Sequence, residues 1–128
     1  MLKKTISSGT SWEKNFGYSR AVIIGSSIYI AGTISVDSSG NIIGKNNPYE
    51  QTKYILHKIK KILEENGFNI IYVIRTRMYV TNIAYCDDIG KAHFEYFKDV
   101  LPVLTMIEIN NLIDSELLVE IEADGIKI

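Results

Sequence analysis

Few side chains in this sequence are of types that do chemistry, and their spacing narrows them further. There are two histidines, His57 and His93, and one cysteine, Cys86. A single cysteine forms no intrachain disulfide, and nothing around Cys86 suggests an activated thiolate. The histidines lie far apart, no cluster has metal-ligand spacing, and no metal is expected. His93 falls on an apolar stripe with Ile89, Tyr96 and Val100. The plain reading is a satisfied buried histidine; the functional one is a proton carrier near neutral pH. Arg20 follows Tyr18 by two residues, so an extended segment turns both to one side, where a guanidinium can bind an anion. The plain alternative is a solvated surface arginine. Near the C-terminus, Glu120 and Glu122 alternate with Val119, Ile121 and Ala123. A carboxylate in reach of a water can act as a general base; its plain alternative is an ion pair with Arg75 or Arg77.

These residues need elements to position them. Ala21 to Ile24 and Ser27 to Ala31 are β-rich runs around the turn Gly25-Ser26. Asp37-Ser38-Ser39-Gly40 is a second turn signal. Asn47-Pro48-Tyr49-Glu50 reads as a helix start, with a capping Asn, Pro at the first position and Glu three residues after the cap. Ile55, Leu56, Ile59, Ile62 and Leu63 form one apolar stripe, and Asn66-Gly67 stops that helix. Ile70 to Val80 reads as a long strand, Tyr85 to Val100 as a second helix ended by Pro102, and Val103 to Asn110 and Leu117 to Ile128 as the last strands. The order β-β-β-α-β-α-β-β predicts an α+β domain, residues 1–128, with two helices on one face of a mixed six-stranded sheet.

The opposite sheet face is expected to carry charges of both signs. Arg75 and Arg77 alternate with Ile74, Thr76 and Met78, and Glu108 with Ile107 and Ile109. Leu104, Met106 and Tyr79 are placed on that same face, leaving it half polar. Such a face is either wet or a subunit interface.

Composition bounds the function. The chain has 128 residues, 46% hydrophobic and 23% charged, with net charge -1. That is one ordinary domain, able to bury a core without disulfide or metal. A pI near 6.1 and no basic, aromatic-interleaved surface weigh against nucleic acid as the main partner. No apolar run approaches the roughly 20 residues of a membrane span, and the N-terminus has no hydrophobic signal core. A soluble, cytoplasmic protein is expected.

Several segments, in order along nearly the whole chain, match one family. They are Gly17-Tyr18-Ser19 with Arg20-Ala21-Val22; Ile30-Ala31-Gly32-Thr33; Gln51 at the helix start; and Gly67 followed by Val73-Ile74-Arg75-Thr76. Pro102 with Met106-Ile107-Glu108-Ile109, then Leu112 and Val119-Glu120-Ile121-Glu122-Ala123, close the match. The chain thus resembles the reactive intermediate deaminase (RidA/YjgF) family, some of whose members are labelled endoribonuclease or translation inhibitor. The resemblance implies a chorismate-mutase-like fold. It implies a homotrimer whose sheets form a central barrel, with a small-molecule pocket at each subunit junction. It also implies cofactor-free hydrolysis of enamines and imines to 2-oxo acids and ammonia.

Carried over residue by residue, Glu120 matches the family glutamate that positions the attacking water, and Tyr18 is kept. The carboxylate-binding Arg two residues after the proline is Leu104 here, which offers neither charge nor donor. The family Cys is Met106, the helix Asn is Gly90, and the Ser of Ser-Gly-Gln is Ala31. The expected site therefore has Glu120 and His93 as catalytic candidates. Tyr18, Arg20, Ala31, Gly32, Thr33, Gly90, Leu104, Thr105 and Met106 are its substrate-binding candidates. Three functions compete: an imine hydrolase poor on 2-imino acids, a non-catalytic metabolite-binding or regulatory trimer, and, weakest, an RNA-directed activity.

Overall fold

A computed structural model describes residues 2–128. The elements, in chain order, are β1 (Lys3–Ile6), α1 (Ser11–Phe16), β2 (Ala21–Ile24), β3 (Ser27–Ile34), α2 (Pro48–Glu65), β4 (Val73–Val80), α3 (Cys86–Phe97), β5 (Val103–Glu108) and β6 (Val119–Ile126). They build one six-stranded sheet in the order β1-β2-β3-β6-β4-β5. Every neighbouring pair is antiparallel except β4 and β5. Parallel neighbours need a crossover, and α3 supplies it.

The helix starts follow the local chemistry. The Asn47 side chain caps α2 by accepting from the Glu50 amide at 3.0 Å, and Pro48 fills the first turn. Gly67, at φ 76°, takes the left-handed turn that ends the helix. Inside α2, Ile55, Leu56, Ile59 and Leu63 are fully buried against Ile28, Ile30, Met78, Val80, Val119 and Ile121 of the sheet. Each such side chain contributes roughly 1.5–3 kcal/mol on burial. With α3 packed beside it, α2 covers one sheet face, as the apolar alternation predicts.

Several boundaries differ from the sequence reading. The first strand is the polar Lys3–Ile6 segment, which pairs with β2 and is held by the sheet rather than by its own pattern. Helix α1 was not anticipated; Thr10 caps it and Gly17 closes it at φ 76°. Residues 70–72 form a 3₁₀ turn rather than the start of β4. Helix α3 ends at Phe97, five residues before Pro102, and Leu101 takes φ 55° in the turn between.

The register also moves two residues to another face. Leu104 pairs with Thr76 and Met106 with Met78, so both lie on the helix-covered side. Met106 packs against the core there. Val103, Thr105 and Ile107 instead pair with Arg75, Arg77 and Tyr79 on the open face. Alternation in β5 alone did not reveal this, because all but Met106 of its residues are exposed on this edge strand.

Candidate active site

The open face carries Arg75, Arg77 and Tyr79 from β4 and Glu120, Glu122 and Asp124 from β6. The ion pair with these arginines, the plain alternative for Glu120, does not form. Arg77 donates instead to Glu122 at 3.2 Å and to Asp124 at 3.3 Å. The Tyr79 hydroxyl donates to Glu122 at 3.1 Å. Burial, helped by that bond and the Glu122 charge, keeps the Tyr79 phenol protonated above its usual range.

Glu120 is left apart. Among the described residues no side-chain hydrogen bond or ion pair engages it. Its carboxylate lies over Gly32, which the irregular register between Ile30 and Thr33 brings alongside β6. Burial pushes its carboxyl above the ordinary range; the Arg20 guanidinium opposes that shift and Glu122 adds to it. Arg20 is itself anchored, with Nη2 donating to the Gly32 carbonyl at 2.6 Å while Nε is buried without a partner.

Glu120, Glu122, Tyr79 and Gly32 form the polar side of an open cavity of about 390 Å³. Ile109, Leu112 and Ile113 supply its apolar wall, and Asn111 an amide. The segment that follows that loop is tied to α2 by Gln51, which is fully buried. Its amide donates to the carbonyls of Gly44 (3.2 Å) and Glu116 (2.9 Å) and accepts from the Leu118 amide (2.9 Å). Of the cavity residues only Gly32 and Glu120 were among the expected site residues; Tyr79, Ile109, Asn111, Leu112, Ile113 and Glu122 were missed. The alternation gave Tyr79 its face, but nothing in the sequence located the 109–113 loop above it.

The other expected residues are distributed elsewhere. Thr33 is fully buried, its hydroxyl donating to the Ala31 carbonyl, so its side chain is not presented to the cavity. Tyr18 lines a separate hollow of about 310 Å³ with Ser7, Thr10 and Glu13. Glu13 is a buried carboxylate held by the hydroxyls of Ser7, Ser8 and Thr10. Burial opposes its charge, but those hydrogen bonds outweigh burial and hold the carboxyl below its usual range. His93 shares a 2.9 Å hydrogen bond with Thr76, and burial holds its pKa down at about 4. It stays neutral on the helix side, behind the sheet from Glu120. Leu104 and Met106 lie on that side too, while Thr105 points to the open face. Gly90 on α3 faces open space. The candidates thus include one group around Glu120 and one around Leu104 on opposite sheet faces, with Tyr18 in its own hollow and Gly90 outside both. Among the described residues no group of three or more His, Cys, Asp or Glu could hold a metal ion.

The profile of one family, described as endoribonuclease L-PSP, matches residues 11–126. The chain belongs to that family, which is also the RidA/YjgF family. A crystal structure of a YjgF/YER057c/UK114 family member from Mycobacterium tuberculosis superposes on this L-PSP domain with TM-score 0.88 and 36% identity, over 98% of this chain and 100% of the other. An uncharacterized protein of Streptomyces coelicolor is 36% identical over 122 residues, covering 95% of this chain and 90% of the relative. The human 2-iminobutanoate/2-iminopropanoate deaminase is 25% identical over 127 residues, 99% of this chain and 92% of its own. The mixed six-stranded sheet with its helices is the fold of the mycobacterial structure as well.

Proposed function

We propose that this L-PSP family protein is a cofactor-free hydrolase of small reactive imines or enamines, working as a homotrimer in a pocket shared by two subunits. The observation that carries the reading is Glu120: a half-buried, unpaired carboxylate with a raised pKa, in the wall of an open cavity. A base of that kind holds a water and takes its proton as the oxygen adds to an imine carbon. The hydroxyl of Tyr79, kept protonated and donating to Glu122, lines the same cavity as a neutral polar group beside the base. The human relative named for imine deamination supports the reaction class.

The shared pocket is supported by the split of the candidate residues. Glu120 and Leu104 occupy opposite faces of one sheet, so a site that uses both draws them from different copies. The half-apolar open face gives those copies a surface to bury. Leu104 in place of an arginine makes 2-imino acids poor substrates.

The test generates imines in solution with a trapping nucleophile such as semicarbazide, and follows the loss of trapped product as hydrolysis competes. The wild type should suppress trapping, and Glu120→Gln should lose most of that effect while keeping its fold and mass. Hydrolysis no faster than in buffer, for every imine tried, would sink the enzymatic reading. Tight ligand binding without turnover would then favour a metabolite-binding trimer. Sedimentation at the mass of a monomer would remove the shared pocket.

A further inference from the structure

The charges around Glu120 restrict which imine it can face. The cavity wall carries two carboxylates, Glu120 and Glu122, and among the described residues no Lys, Arg or His. The neighbouring cation, Arg20, does not line the cavity: its Nη2 is bound to the Gly32 carbonyl, and it acts on Glu120 through its charge without an ion pair. Arg77 is bound by Glu122 and Asp124. The group on the other sheet face adds no charge either: Leu104 and Met106 are apolar, and His93 is buried, neutral and bonded to Thr76. A 2-imino acid would bring its carboxylate into a space that already holds two and offers no donor fork. An iminium cation meets the opposite situation, a carboxylate beside its nitrogen and an aliphatic wall for its carbon chain.

Resting on the hydrolase reading, we infer that the site takes carboxylate-free imines, bound as the iminium of a small aliphatic amine or aldehyde. The nitrogen lies toward Glu120 and the alkyl group against Ile109, Leu112 and Ile113. The step balances without a co-reactant. Water oxygen bonds to the imine carbon as Glu120 takes its proton, and that proton passes to nitrogen. The C–N bond then breaks as the new C=O closes, and the hydroxyl proton leaves with the nitrogen as ammonium.

The experiment compares two imines in the trapping assay. One is isobutyraldimine, made in place by a flavin amine oxidase from isobutylamine; the other is 2-iminobutanoate, made by a threonine dehydratase. In parallel, calorimetry measures binding of isobutylammonium and of 2-oxobutanoate to the wild-type protein. The aldimine should be hydrolysed at least about tenfold more efficiently than the imino acid. An imino acid handled as well or better would overturn this inference and leave the hydrolase reading standing. If neither imine is hydrolysed faster than in buffer, the hydrolase reading falls and binding decides the ligand class. Preference for isobutylammonium then upholds a cationic, carboxylate-free ligand; preference for 2-oxobutanoate, or no binding of either, overturns it.

Discussion

The carboxyl group of Glu120 lies across the backbone of Gly32. A β-carbon built on Gly32 would stand 2.9 Å from Glu120 Cδ, and closer still to Oε2. Glycine is needed here for space, not for backbone angle. Gly32→Ala should therefore push the carboxylate aside at little cost in stability, less than about 1 kcal/mol, because only the end of a flexible side chain must move. Imine hydrolysis should fall by about 10- to 100-fold, since a base displaced by an ångström loses its alignment with the water. Unfolding curves and the trapping assay on one preparation check both halves. Unchanged activity would separate Glu120 from the chemistry.

Burial raises the Glu120 carboxyl above its ordinary 4.5. A base works only when ionised, so activity should climb with pH along an acid limb placed above 4.5 and level off toward neutral pH. In Glu120→Gln the residual rate should be lower by about two orders of magnitude and lack that limb. A limb that persists in the variant would assign it to another group.

His93 predicts a different pH dependence, in stability rather than rate. Its folded pKa of about 4 lies below the ordinary 6.5 because the ring is buried. As pH falls, the unfolded chain protonates first. The contribution is complete above about 6.5 and is lost as pH falls through about 4, by at most about 3 kcal/mol. His93→Gln keeps a partner for Thr76 but does not titrate. Urea unfolding at pH 7 and pH 4 should show a smaller difference for the variant than for the wild type.

Gln51 is expected to hold the cavity wall in place. Its three hydrogen bonds tie α2 to Gly44, Glu116 and Leu118. Gln51→Leu keeps the volume and leaves those backbone groups unpaired, which should cost about 3 kcal/mol. Hydrogen exchange across residues 109–118 should quicken in the variant. Exchange as slow as in the wild type would place the control of that loop elsewhere.

The sequence by itself determined the elements whose signals are local. The Asn47 cap, the apolar stripe of α2 and the stop at Gly67 each follow from neighbouring residues, and each stands in the structure as read. Strand alternation gave Tyr79, Glu120 and Glu122 their common face, because period two is fixed by the pleat. Local pattern failed where neighbours decide. The strand Lys3–Ile6 exists because β2 offers it an edge, and the face of Leu104 depends on its register against Thr76. Only the tertiary structure decided that Arg77 pairs with Glu122 and leaves Glu120 free, and that Arg20 spends a donor on the Gly32 carbonyl. Only it placed His93 behind the sheet from the carboxylate. These are contacts between residues distant in the chain, and no spacing along one strand encodes which partner lies across from it.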